Sequence, residues 1–129
     1  GSEMCIRDRI KRRAAMFTHY TNEFKKLQTL LYNYVQEEEG QDKASKEALI
    51  AYLNEQDMEF IKCVQVILHV GRNPENKGED PQALYEKTMN AFNMLKGWRP
   101  QDIEVRHMVI KIPLDVYFAT GLKVLDIEL

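Results

Sequence analysis

The chain has 129 residues, of which 44% are hydrophobic and 29% are charged, and its formal net charge at pH 7 is −2. A chain of this size suits one globular domain, and the composition excludes a disordered protein. No apolar run approaches the roughly 20 residues that cross a bilayer, and the first residues lack the apolar segment of a signal peptide. We therefore expect one cytoplasmic domain over residues 10–129, with no membrane association.

Residues 1–9 are predicted to be additions to the natural protein. Gly1 and Ser2 are typical of the scar that tag removal leaves. The run MCIRDR over residues 4–9 resembles the translation of a sequencing-library adapter, which implies a gene assembled from a metagenome. The true start would then be Met16 or lie upstream of the break in the assembled gene.

The basic stretch RDRIKRR, over residues 7–13, has a second interpretation as an arm that binds nucleic acid. A nucleic-acid-associated regulator is therefore an alternative function. Against it, the residues from Ala14 onward include 13 basic and 18 acidic side chains, and an acidic body disfavours binding to phosphates. No aromatic side chains interleave with the basic residues, as stacking on single strands requires.

The segment from Ile10 to Val35 is predicted to be a long amphipathic helix that ends before Gly40. Its apolar and aromatic side chains follow heptad spacing at Ile10, Phe17, Tyr20, Phe24, Leu27, Leu31 and Tyr34. This spacing is compatible with a helix packed on its own domain and with an intermolecular helix pair. Because a long helix on a small body has apolar surface to spare, we expect self-association or a protein partner on this face.

Two further helices are predicted before residue 72. Asp42 or Ser45 caps a short helix, KEALIAYL. Asn54 and Asp57 are spaced like a capping box before the apolar segment MEFIKCVQVILHV, whose apolar side chains point nearly all around a helix. We expect this second helix to be buried at the centre of the fold and to end at Gly71.

The segment after residue 79 has clear helix signals. Asp80 is predicted to be the cap, Pro81 the first helical residue and Gly97 the terminating residue. The apolar stripe of this helix is predicted to comprise Leu84, Thr88, Ala91, Phe92 and Leu95.

The tail allows two structures. Residues 103–112 include β-branched side chains in partial alternation, so a short strand and an α+β fold are the minor alternative. A lone strand would leave its backbone groups unpaired, which favours two short helices broken at Pro113, the second ending at Gly121. The predicted fold class is all-α, a small bundle of five to six helices with a long N-terminal helix.

Three segments together resemble a bacterial family of short helical domains of unknown function, the 3775-type domain. They are LNEQDMEFIKCVQVILHVGRN, DPQALYEKTMNAF and PLDVYFATGL, within residues 49–122. The matching positions are Leu53, Asn54, Glu55, Gly71, Arg72, Pro113, Leu114, Tyr117, Gly121 and Leu122. The resemblance implies an all-helical bacterial domain and assigns no activity.

Residue types that catalyse reactions or bind metals occur without the usual spacing. The three histidines and two cysteines include no pair three or four residues apart, so we expect no metal and no cofactor. Cys5 and Cys63 are predicted to be reduced thiols, and Cys63 is predicted to be inert inside the apolar helix. A small enzyme is a further alternative, with Arg72 and His107 as its candidate residues.

Arg72, Trp98 and Arg99 are the candidate interaction residues outside the first helix. Arg72 follows the apolar helix, where its guanidinium can bond the last carbonyls or contact a partner. Trp98, beside Arg99, is either a half-buried plug or an interface anchor. Together with the first helix, these residues favour a noncatalytic protein of bacterial or phage origin that acts through protein–protein contacts.

Overall fold

The computed structural model describes residues 18–36, 44–73, 75, 78–110 and 113–129. This part of the chain contains six α-helices and no strand, which confirms the all-α class. The helices are α1 (Thr21–Gln36), α2 (Ala44–Glu55), α3 (Met58–Arg72), α4 (Pro81–Ala91), α5 (Gln101–Val109) and α6 (Leu114–Val124). A 3₁₀ turn, Thr18–Tyr20, precedes α1, and a π-helical turn, Phe92–Lys96, extends α4.

Helix α3 lies at the centre of the fold, as its apolar sequence predicts. Ten of its 15 residues are buried, and α6 packs along it more extensively than any other helix. The carboxylate of Asp57 caps its first turn by accepting a hydrogen bond from the Phe60 N–H at 2.8 Å. Asn54, the other residue of the predicted capping box, belongs to α2.

Helices α3 and α6 cross at two glycines, although the sequence analysis assigned both glycines to helix ends. A Cβ at Gly71 would overlap the carbonyl oxygen of Tyr117, and a Cβ at Gly121 would overlap that of Ile67. Helix α6 continues three residues past Gly121, so that predicted helix end is wrong, whereas α3 ends at Arg72, one residue past the predicted Gly71. The glycines are needed because the two backbones touch, and any side chain would separate them.

The heptad seam of α1 packs into the core of its own chain. Phe24, Leu27 and Leu31 are 0%, 1% and 3% exposed. The Phe24 ring lies 5.6 Å from that of Phe60 in α3 and 5.8 Å from that of Phe118 in α6, centroid to centroid. The prediction that this seam meets a second copy or a partner is therefore wrong for these three residues, because the neighbouring helices enclose them.

The remaining seam residues are partly buried or lie outside the described residues. Tyr20 packs against the core, and the Tyr34 hydroxyl donates a hydrogen bond to the Val109 carbonyl at 3.2 Å, which ties α1 to the end of α5. Phe17, the basic stretch and the adapter-like run lie outside the described residues, as does the predicted helix end at Gly40.

Helix α2 is held at its end by a side chain distant in sequence. It begins at Ala44, so Ser45 lies in its first turn and not at the cap, whereas the alternative cap Asp42 lies outside the described residues. At its other end, the amide of Gln101, the first residue of α5, reaches three carbonyl oxygens. Its Nε2 donates at 3.0, 3.4 and 2.6 Å to the carbonyls of Leu53, Asn54 and Gln56.

The local signals in the second half are confirmed. The Asp80 carboxylate accepts a hydrogen bond from the Ala83 N–H at 3.0 Å, and Pro81 is the first residue of α4. Gly97 closes the π-helical turn with φ at 67°, a conformation that favours glycine. Residues 103–109 lie in α5 and Pro113 precedes α6, so the strand alternative is wrong over that range.

Candidate functional site

The end of α4 widens from an α-helix into a π turn. The N–H of Gly97 donates to the carbonyl of Phe92 at 2.8 Å, which is the five-residue spacing of a π-helix. A π turn holds one residue more than an α turn, so it rotates the following side chains around the axis. Leu95, predicted to lie on the apolar stripe, is therefore 86% exposed, and that part of the stripe prediction is wrong.

Met94 and Leu95 form an apolar projection. At 84% and 86% they are the most exposed large apolar side chains of the residues that the structure describes. They lie between Phe92, which packs against the core, and Gly97, which ends the turn. We call the area of Met94, Leu95, Lys96, Trp98 and Arg99 the π-turn surface.

Trp98 is half-buried and fixed on several sides. Its indole N–H donates to the side-chain oxygen of Asn93, and the Phe92 ring meets it edge-on with centroids 5.8 Å apart. Two ammonium groups lie over the indole, that of Lys96 at 4.3 Å and that of Lys62 at 5.5 Å from the ring centroid. Trp98 is thus a positioned, partly accessible aromatic group.

A buried carboxylate anchors the π-turn surface to the helices beneath it. Glu104 in α5 is 3% exposed and accepts hydrogen bonds from Lys96 Nζ at 3.2 Å, Gln65 Nε2 at 3.1 Å and the Arg99 backbone N–H at 3.2 Å. Burial alone would raise the pKa of Glu104, but these donors outweigh it and hold the pKa below its usual range. The ionised carboxylate therefore fixes the chain on both sides of Trp98.

Arg99, at the edge of the π-turn surface, and Arg72, beside it, have no carboxylate partner among the residues that the structure describes. Arg99 Nη1 lies 3.0 Å from Nδ1 and 3.2 Å from Nε2 of His107, and Arg72 lies 5.7 Å from the ring centroid of Tyr117. Both arginines are exposed, and within the described ranges neither forms an ion pair. A guanidinium is built to bind a carboxylate through two parallel hydrogen bonds, so both retain that capacity.

A cleft of about 160 Å³ adjoins the π-turn surface. It is lined by Gln65, Leu68, His69, Arg72, Phe92 and Lys96. The cleft joins Arg72 to the π-turn surface, because Lys96 belongs to both. His107 contacts Arg99 instead and does not line this cleft, so the structure does not bring together the two residues that the enzyme alternative names.

The described residues offer little for covalent or metal chemistry. Burial raises the pKa of the Cys63 thiol to about 12, so this thiol is protonated at neutral pH and a poor nucleophile. Among the residues that the structure describes, no three His, Cys, Asp or Glu side chains are grouped as metal ligands. No helix in the same ranges has the length and apolar character needed to cross a membrane.

The sequence-based candidates separate into two groups. Arg72, Trp98 and Arg99 lie in one continuous area, whereas the α1 seam is part of the core. Met94 and Leu95 were not among the residues predicted to be exposed. The sequence offers one signal for their exposure, which is that two adjacent apolar residues precede the terminating glycine. Adjacent side chains point in different directions around a helix, so both cannot lie at the centre of one apolar stripe.

Comparisons with protein-family models, curated proteins and solved structures gave no match for this chain. The resemblance of residues 49–122 to the 3775-type family stays a prediction.

Proposed function

We propose that the protein is a noncatalytic protein-binding domain of bacterial or phage origin, which acts in the cytoplasm and binds its partner through the π-turn surface. One observation carries the proposal: Met94 and Leu95 are adjacent, large, apolar and more than four-fifths exposed. Burying a Met or Leu side chain stabilises a structure by roughly 1.5–3 kcal/mol. That free energy is not used in the fold and is open to a partner.

The contacts that tie the surface to the helices beneath it support the proposal. Binding surfaces lose affinity when flexible side chains and loops must be ordered on association. Here hydrogen bonds to Glu104 anchor Lys96 and the Arg99 backbone, and Lys96 in turn contacts the Trp98 ring. A central apolar and aromatic area with arginines at its edge is also the composition that dominates binding energy in protein interfaces.

The test selects ligands without knowledge of the natural partner. A random-peptide phage library is selected on the immobilised chain and counter-selected on the Met94→Ser/Leu95→Ser variant. We expect enriched peptides whose affinity for the double variant, measured by calorimetry, is weaker by at least roughly tenfold.

The matched control is Tyr32→Ser, because Tyr32 is 60% exposed but lies on α1. We expect this variant to bind the selected peptides like the unmodified chain. Enriched peptides that bind the double variant and the unmodified chain equally well would contradict the proposal, as would a selection that enriches none.

A further inference from the structure

We infer that the partner contributes a carboxylate-rich amphipathic segment, whose apolar side chains cover Met94 and Leu95 and whose acidic side chains bind Arg72 and Arg99. The inference rests on the proposed function and adds the chemistry of the ligand. It depends on the kinds of group that surround the apolar projection.

Charge complementarity is the first step. The chain as a whole carries a formal net charge of −2, yet the groups around Trp98 are cationic. Lys96 has its charge balanced by Glu104, and Lys62 lies 3.7 Å from the largely exposed Glu59, a weak surface pair. Among the described residues, no carboxylate forms an ion pair with either arginine. An acidic ligand would supply the carboxylates that this part of the chain does not provide.

The present partners of the two arginines are the second step. Arg72 is held by the face of Tyr117 and Arg99 by the ring of His107, so both guanidiniums are oriented by aromatic groups that do not neutralise them. An oriented guanidinium loses less conformational freedom when it binds a carboxylate. Arg72 also lines the cleft, so an acidic side chain that enters it meets a guanidinium without a carboxylate partner among the described residues.

A nucleic acid fits these observations less well. Sequence-independent binding to single strands uses aromatic faces on which bases stack, and the Trp98 face is occupied by ammonium groups. Met94 and Leu95 offer no contact that a phosphate backbone would use. We therefore favour an acidic polypeptide and make the nucleic acid an outcome of the test.

The experiment uses four defined probes on the full chain. Three are fluorescein-labelled amphipathic peptides of about four helical turns with one leucine stripe, whose polar face is all Glu, all Gln or all Lys. The fourth is a labelled oligodeoxythymidine. Anisotropy gives the affinities, and the fluorescence of Trp98, the single tryptophan of the chain, reports binding at the surface itself.

We expect the Glu peptide to bind at least roughly tenfold more tightly than the Gln peptide and to alter Trp98 emission, with the Lys peptide weakest. The variant Arg72→Gln/Arg99→Gln is expected to remove the preference for Glu over Gln. Lys25→Gln/Lys123→Gln, which removes the same charge from exposed positions on α1 and α6, is expected to retain it.

The outcomes separate the inference from the proposed function. If the Glu and Gln peptides bind equally well and the variant Met94→Ser/Leu95→Ser loses this binding, the inference of an acidic ligand is overturned. The proposed protein-binding function is then retained. Peptide binding that this double variant does not weaken overturns both. Tighter binding of the oligodeoxythymidine than of the Glu peptide, lost in Arg72→Gln/Arg99→Gln, overturns the inference in favour of a nucleic acid.

Discussion

Apolar spacing places the α1 seam and Leu95 of the π-turn surface on apolar helix faces, and the structure treats the two in opposite ways. Phe24, Leu27 and Leu31 are enclosed by neighbouring helices, whereas Leu95 is rotated away from the core by one extra residue in a turn. Apolar spacing tells which side chains share a helix face. Whether that face is covered depends on the neighbours and on the helix keeping its period.

The two areas are also stabilised by different interactions. The α1 seam is held by aromatic and aliphatic packing, as the contacts of Phe24 with Phe60 and Phe118 illustrate. The π-turn surface is held by polar contacts to Glu104. Substitutions in the two areas should therefore differ in their effects on stability, on pH dependence and on binding.

The largest effect on stability is expected from a substitution in the buried seam of α1. Phe24→Ala removes a fully buried ring, and we expect the free energy of unfolding to fall by about 4 kcal/mol in urea denaturation followed by circular dichroism. Tyr32→Ala, on the exposed face of the same helix, is the control and should change it by less than about 0.5 kcal/mol. Similar losses in both variants would show that the seam is not the packed side of α1.

A glycine of the enclosed core and a glycine of the π turn sharpen the comparison. Gly71→Ala should cost roughly 3 kcal/mol, because its Cβ would force α3 and α6 apart. Gly97→Ala should cost about 1–2 kcal/mol, since nothing lies near its Cβ and only the positive φ is strained. Both are measured by urea denaturation. A smaller loss for Gly71→Ala than for Gly97→Ala would contradict a backbone crossing at Gly71.

A smaller effect, with a pH signature, is expected at the polar anchor. Glu104→Gln should lower the free energy of unfolding by about 2 kcal/mol at neutral pH, because Lys96 and the Arg99 N–H lose an ionised acceptor. The pKa of Glu104 is lowered by folding, so its contribution is complete above its unfolded pKa of about 4.3 and is lost as the pH falls through the lower folded value.

Stability measured over a range of pH tests this assignment. The difference between the unmodified chain and Glu104→Gln should narrow as the pH falls below about 4. A difference that stays constant down to roughly pH 2 would mean that the Glu104 charge does not stabilise the turn.

The smallest effect on stability is expected at the projection itself. Leu95→Ser should change the free energy of unfolding by less than about 0.5 kcal/mol, because its side chain is exposed. The same variant should bind the selected peptides with roughly tenfold lower affinity, as measured by calorimetry. A loss of stability comparable to that of Phe24→Ala would place Leu95 in the core and remove the difference between the two areas.

Much of the fold could be predicted because its signals are local. Asp80 and Pro81 mark the start of α4, and Gly97 marks the end of the π turn that extends it. Each acts through a hydrogen bond or a dihedral angle that involves only its near neighbours in sequence. Pro113 likewise separates α5 from α6. The apolar character of α3 likewise predicts its central position, since a helix that is apolar on nearly all sides must be surrounded.

The errors arise where distant segments decide the structure. A glycine near the end of an apolar helix is typical of a helix terminus, yet Gly71 and Gly121 serve a crossing that the sequence does not reveal. The π turn is also hidden, because no residue type requires it. Arg72, Trp98 and Arg99 could be singled out by their chemistry, but their common position and the exposure of Leu95 required the three-dimensional arrangement.

The Gln101 amide has a consequence for local motion. It satisfies carbonyls at the end of α2 from the first turn of α5, two segments far apart in the chain. Neither terminus can fray without releasing the other. Backbone amides at the end of α2 and the start of α5 should therefore exchange with deuterium through a shared opening event, at rates that change together.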